Sequence, residues 1–147
     1  MKIHIRHGHY TDLPKIHELV KALAIYENEP TAVTATLEDY YKDYKDGLFR
    51  VIVAEVDSEV KGMMLYYKAY STWKGKMIHL EDFVINKNYR KLGIGQQLMD
   101  FLLQFVKQEN AKIVKWQVLD WNTPAINFYK KNNAIIEKNW WNCKIFT

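Results

Sequence analysis

The sequence predicts an α/β fold: a single domain over residues 1–147 with a mixed, mostly antiparallel central sheet and helices on both faces. Three observations point there. Segments of alternating apolar residues and segments with helical spacing succeed one another in the order β-α-α-β-β-β-α-β-α-β-β. A glycine turn, Arg90-Lys91-Leu92-Gly93-Ile94-Gly95, follows an apolar strand-like run and opens the most clearly periodic helix. No repeat, low-complexity tract or linker divides the chain.

Lys2–His7 alternates enough to be a first strand. Asp12-Leu13-Pro14 then starts a helix, with proline in its first turn, and Ile16, Leu19, Val20 and Leu23 carry that helix to about Tyr26. Thr36-Leu37-Glu38-Asp39 has the form of a capping box and begins a short polar helix. Phe49–Val56 and Val60–Tyr70 flank the tight Asp57-Ser58-Glu59 turn as a hairpin, and Lys74-Gly75-Lys76 turns the chain into Met77–Ile85. Ile94, Leu98, Phe101, Leu102 and Phe105 form the apolar face of the next helix. Ile113–Leu119 is a further strand, Asn122-Thr123-Pro124 starts a helix through Asn132, and Ala134–Glu137 and Trp141–Phe146 are expected to finish the sheet.

Composition narrows the function. With 147 residues, 48% hydrophobic and 14% aromatic, the chain can bury a real core. One cysteine, Cys143, excludes an internal disulfide and suits a reducing cytosol, so a cytoplasmic protein is expected. The N-terminus lacks the apolar core of a signal peptide, and no run reaches the roughly 18 apolar residues of a membrane span. The net charge of +4 comes from dispersed lysines and arginines rather than a stripe, which argues against a nucleic-acid partner.

The glycine turn is the feature with most chemistry. Successive backbone N–H groups at a helix start, unshielded by side chains, attract an anion through orphan donors and the helix dipole together. A pyrophosphate-bearing ligand is the expected occupant, although a plain helix-opening turn would use the same residues. It is not a Walker loop, because no Gly-Lys-Ser/Thr ends it, and the spacing is not G-x-G-x-x-G.

The chain resembles the GNAT superfamily of acetyl-CoA-dependent N-acetyltransferases, and within it the diamine (spermidine/spermine) and thialysine acetyltransferase group. The matching stretches are Leu23-Ala24 with Tyr26-Glu27, Tyr70-Ser71-Thr72-Trp73-Lys74-Gly75, Leu80-Glu81-Asp82-Phe83, Tyr89-Arg90 through Gly95, Asp120-Trp121-Asn122 and Asn127-Phe128-Tyr129-Lys130. The resemblance implies acetyl-CoA as co-substrate and no metal. It places the coenzyme pyrophosphate on Arg90, Lys91, Leu92, Gly93, Ile94, Gly95 and Gln96. It also runs the pantetheine arm along Phe83, Val84 and Ile85, where neighbouring strands splay and backbone groups stay available. Asn122, Thr123, Pro124, Ala125 and Asn132 occupy further cofactor-lining positions. Phe83–Ile85 would serve equally as a core strand, and Asn122 as a simple N-cap.

By the same resemblance Tyr129 is the general acid and Glu81 the proton acceptor, acting through water. An alkylammonium near pKa 10.4 must lose a proton before it attacks, and the departing thiolate must gain one. A phenol near 10 donating to a thiolate near 8.5 is uphill by only about 2 kcal/mol. Tyr129 could instead be a core aromatic beside Phe128, and Glu81 a structural ion-pair partner. Glu81 and Asp82 are adjacent in a strand, so alternation sends them to opposite faces and Asp82 is expected to be structural.

Tyr26, Glu27, Ser71 and Trp73 match the amine pocket of the family, and Gln117 is placed to face the acceptor. Trp73 offers a cation–π face or simple packing. Ser71 stands where polyamine-acetylating members carry aspartate, and Asn139 falls near a position usually held by glutamate. Fewer acids favour a short primary amine, lysine-like or thialysine-like, over a long polycation. The resemblance also implies a homodimer, with Trp140, Trp141 and Phe146 serving as interface or as core. The alternatives are acetylation of a protein or antibiotic amine and a non-catalytic acyl-CoA sensor, which would need neither Glu81 nor Tyr129.

Overall fold

Strands form where the chain is apolar on both faces, and the clearest case is Arg50–Val56, whose residues Val51, Ile52, Val53 and Ala54 are all buried. The computed structural model describes residues 1–147 as two compact units, Met1–Trp116 and Gln117–Thr147.

The first unit contains β1 (Ile3–His7), α1 (Leu13–Tyr26), α2 (Leu37–Lys45), β2 (Arg50–Val56), β3 (Glu59–Ser71), β4 (Gly75–Ile85), α3 (Ile94–Gln108) and β5 (Ile113–Lys115). The sheet order is β1-β2-β3-β4-β5, antiparallel throughout except for the parallel β4–β5 pair. The mixed, mostly antiparallel sheet is therefore as expected. Single 3-10 turns at Tyr10–Asp12 and Lys87–Tyr89 add to the elements that periodicity predicts.

Alternation along the strands assigns each helix its face. Val51, Val53, Met63, Leu65 and Val84 point one way and pack with Ile16 and Leu19 of α1. Residues of opposite parity meet α3. A methyl group on Gly62 would lie 3.5 Å from Leu98 Cδ1, and the Tyr66 and Phe105 rings stand 5.3 Å apart. Tyr40 of α2 joins the α1 side, 4.8 Å from the His17 ring, and His17 Nε2 bonds the Ala35 carbonyl at 2.9 Å. The capping box of α2 forms as its sequence suggests, with Asp39 N–H on Thr36 Oγ1 and Thr36 N–H on Asp39 Oδ2.

Asp12 has a different use from the cap its position suggests. Its carboxylate takes a two-pronged bond from Arg6 at 2.8 and 2.9 Å, and Arg6 Nε reaches Glu55 at 2.7 Å. One guanidinium thus ties β1 to β2 and to the start of α1, and it holds the Asp12 carboxyl below its ordinary range.

The second unit contains α4 (Thr123–Lys131). Two expectations fail nearby. The strand predicted over 113–119 ends at Lys115, and the strands predicted at Ala134–Glu137 and Trp141–Phe146 do not form. Strand propensity reflects packing against a neighbouring strand, so an alternating segment without a ladder stays irregular. The bulky residues of that tail are exposed, Trp141 by 89% and Phe146 by 88%.

Candidate active site

The site in the first unit begins with a break in strand register. His79 pairs with Tyr67 and Asp82 with Leu65, so three steps along β4 match two along β3. Glu81 is the extra residue of a β-bulge. Because Tyr67 and Leu65 share a face, His79 and Asp82 do too, and it is the face of Val84 and α1. Glu81 is drawn to the same side, with Oε1 3.3 Å from His79 Nε2. The expectation that Glu81 and Asp82 point apart is thereby corrected: a bulge suspends the alternation on which it rested.

Charge gathers there. Burial first, then the charges of Glu81 and Glu27, push the Asp82 carboxyl up to about 6. Burial also raises Glu27, the residue after α1. Tyr40 is pushed up to about 12 by burial and then by Asp82 and Glu81, and Tyr67 is raised by burial and then by Glu81. Three carboxylates thus influence one another and two phenols across α1, α2, β3 and β4. No lysine or arginine is paired with any of the three. Such a space lowers its energy by accepting a cation.

The glycine turn follows on the same strand. Asn86 caps the short turn after β4 by accepting from Asn88 N–H at 3.0 Å. Lys91 (φ 63°) and Gly93 (φ 84°) both take left-handed backbone, and α3 starts at Ile94. A methyl group on Gly93 would meet nothing within 4 Å, so the space before the helix is open. The first helical bond there runs from Gln97 N–H to Gly93 O at 3.2 Å. First-turn amides precede any intrahelical acceptor, and this end of α3 suits an anion.

Arg90 links the turn to the acidic space. Its Nε donates to Ile85 O at 3.2 Å, and its guanidinium lies 5.0 Å over the Tyr26 ring. Tyr26 thus touches the glycine turn through Arg90 while Glu27, the next residue, faces the carboxylates. The parallel ladder of β4 with β5 ends at the His79–Lys115 pair, six residues before β4 itself ends at Ile85. Phe83, Val84 and Ile85 fall in that stretch.

At the β3–β4 turn, Ser71 Oγ accepts from the Trp73 and Lys74 amides at 3.3 and 3.1 Å. Trp73 is 84% exposed, so its indole is not a packing element of the core. In the second unit, Asn122 Oδ1 accepts from Ala125 N–H at 3.4 Å and caps α4, with Thr123 and Pro124 in the first turn. Tyr129 lies on α4, only 8% exposed, its ring 5.8 Å from that of Phe128. Asn132 Nδ2 donates to Phe128 O at 3.0 Å, and Gln117 Nε2 to Asn142 Oδ1. Sequence reasoning missed His79, Tyr40 and the grouping of Asp82 with Glu81. No single-residue pattern marks a bulge, though two adjacent acids inside an apolar strand are a signal.

Comparison with known proteins gives the family. The family model described as Acetyltransferase (GNAT) family matches residues 13–134. The human spermidine/spermine N(1)-acetyltransferase-like protein 1 is 34% identical over 140 residues, covering 89% of this chain and 20% of its own length. Thialysine N-epsilon-acetyltransferases are similar too. That of Caenorhabditis elegans is 33% identical, covering 76% of this chain and 69% of its own, and that of Bos taurus 32%, covering 95% and 89%. In three dimensions the chain superposes on an aminoglycoside acetyltransferase from an uncultured soil sample with a TM-score of 0.83. That match covers 99% and 96% of the two chains at 19% identity, a likeness of fold. A family match over most of the chain, with relatives above 30% identity on nearly its full length, leads to one conclusion: the chain belongs to the GNAT family and is an N-acetyltransferase.

Proposed function

We propose that the protein moves the acetyl group of acetyl-CoA to a primary amine of a small molecule, a lysine-like or thialysine-like amino acid or a short di- or polyamine. The transfer is a direct attack within a ternary complex. The observation that carries this reading is the acidic space on β4, where Glu27, Glu81 and Asp82 stand together with no lysine or arginine paired to them and only the imidazole of His79 beside Glu81. An aliphatic ammonium supplies the missing charge, and the carboxylates orient it. The names of the human, nematode and bovine relatives support a small amine, either polyamine or thialysine.

In this reading Glu81 takes the proton from the ammonium and Tyr129 gives one to the departing coenzyme thiolate. Tyr26, Glu27, Ser71, Trp73 and Gln117 line the acceptor side. Arg90–Gln96 holds the pyrophosphate, Phe83–Ile85 the pantetheine, and Asn122, Thr123, Pro124, Ala125 and Asn132 the remainder of the cofactor. When bound, acetyl-CoA supplies the activated acyl group; the chain supplies position, charge and proton transfer. The protein works in the cytoplasm as a homodimer, without a nucleic-acid or membrane partner. The exposed aromatic tail supports the dimer, and the lone Cys143 and scattered basic residues support the rest.

Coenzyme A release measured with lysine, thialysine, ornithine, short diamines, spermidine and spermine tests the reading. Turnover is expected with lysine-like amino acids or short diamines, and weaker turnover with spermine. Tight acetyl-CoA binding with no turnover on any amine would redirect the activity to a protein amine or to sensing. The cofactor half has its own test in Gly93→Ala. The left-handed backbone costs an alanine about 1–2 kcal/mol of stability, and the added methyl crowds the anion site, so coenzyme A should bind at least about fivefold more weakly. Unchanged affinity by calorimetry would remove Gly93 from the pyrophosphate seat.

A further inference from the structure

The bulge that brings Glu81 to the α1 face also brings it onto His79, and nothing in the reading above uses that histidine. We propose that His79 and Glu81 act as a proton-accepting dyad, with the imidazole holding the proton taken from the amine before it passes to solvent. The inference rests on Glu81 being the base.

Three observations support it. His79 Nε2 and Glu81 Oε1 are 3.3 Å apart, close enough for a proton to pass directly between them. The His79 ring is fixed by stacking on Tyr67, with centroids 4.8 Å apart and planes 28° apart. Its side chain is only 20% exposed, whereas that of Glu81 is 54% exposed. Glu81 is thus the member that meets solvent and substrate, and His79 stands behind it. Chemistry supplies the purpose. An imidazole is as a class a stronger base than a carboxylate, which suits it to hold a proton drawn from an alkylammonium.

The groups that face the dyad set its bias. Asp82 and Glu81 on β4, Tyr67 on β3, Glu27 after α1 and Tyr40 on α2 are anionic or neutral, and Lys115 is the pairing neighbour on β5.

The transfer balances as follows. The transfer requires the neutral ring to carry its hydrogen on Nδ1, so that Nε2 is the acceptor. R–NH3+ gives one proton to Glu81, which passes it to Nε2 and returns to carboxylate. The amine lone pair forms the N–C bond to the thioester carbon and the C–S bond breaks. Sulfur takes a proton from the general acid, the new amide nitrogen loses its surplus proton to restore that acid, and the imidazolium releases its proton to solvent.

His79→Gln tests this, because glutamine keeps a donor for Glu81 and does not titrate. Turnover is measured against pH with acetyl-CoA and the best amine both saturating. His79→Gln is expected to lower the plateau about 10- to 100-fold and to remove an acid limb in the histidine range, with the KM for acetyl-CoA unchanged. Independently of turnover, Glu81→Gln should move the midpoint of the His79 imidazole titration, followed by nitrogen NMR, to lower pH. A His79→Gln enzyme with the wild-type plateau and acid limb overturns the dyad. If Glu81→Gln slows the reaction in that case, Glu81 remains the base and only the role of His79 falls. If neither variant slows it, the Glu81 assignment falls as well.

Discussion

Tyr129→Phe is expected to lower turnover about 100-fold or more, the span a positioned general acid commonly contributes. Acetyl-CoA affinity should stay within about twofold. Only a hydroxyl is removed, and the ring that α4 buries beside Phe128 is kept, so packing is preserved. Without the phenol the thiolate must leave as an anion, so the loss falls on kcat and not on cofactor binding. A role confined to packing predicts the reverse: nearly full turnover and a small change in melting temperature. Steady-state kinetics with saturating acetyl-CoA, read beside a thermal melt, separates the two. Full activity in the phenylalanine variant would take Tyr129 out of the mechanism.

Asp82→Asn is expected to stabilise the unliganded protein and to impair it as an enzyme. The Asp82 carboxyl sits at about 6 when folded, raised chiefly by burial and then by Glu81 and Glu27. In the unfolded chain an aspartate titrates near 3.9. Between these values the folded state binds the extra proton. Stability therefore falls as pH rises from about 4 to about 6, and above 6 the full cost, roughly 3 kcal/mol, is present. Asparagine removes that charge, so at pH 7.5 the variant should gain about 1–2 kcal/mol, with part of the benefit lost to burying an amide. The amine loses a counter-charge, and its KM should rise about tenfold or more. Denaturant melts at pH 5 and 7.5 with amine kinetics on the same variant give both readings. Equal stability at pH 7.5, with the wild-type slope between pH 5 and 7.5 retained, would show that Asp82 is solvated and contributes no strain.

Legibility in the sequence followed the range of each interaction. The α1 helix runs from Leu13 to Tyr26, the Thr36–Asp39 capping box forms, and Gly93 takes the left-handed turn before α3. Each of these depends on neighbours within one turn of chain, so local pattern suffices. The tail is the opposite case. Ala134–Glu137 and Trp141–Phe146 have the residues of strands, but a strand is completed by its partner, and no alternation pattern says whether a partner is there.

By itself the sequence determined the mixed sheet with helices on both faces and the left-handed glycine turn before α3, because periodicity, caps and glycine placement are written along the chain, and its ordered motifs carried the resemblance to the family. Only the tertiary structure decided how the acids are grouped. The β4 bulge sets three residues against two, cancels the alternation that would part Glu81 from Asp82, and brings His79 onto Glu81. Strand alternation is a local rule, whereas register is a property of two strands at once. A side chain's face is therefore fixed by its partner strand as much as by its own position.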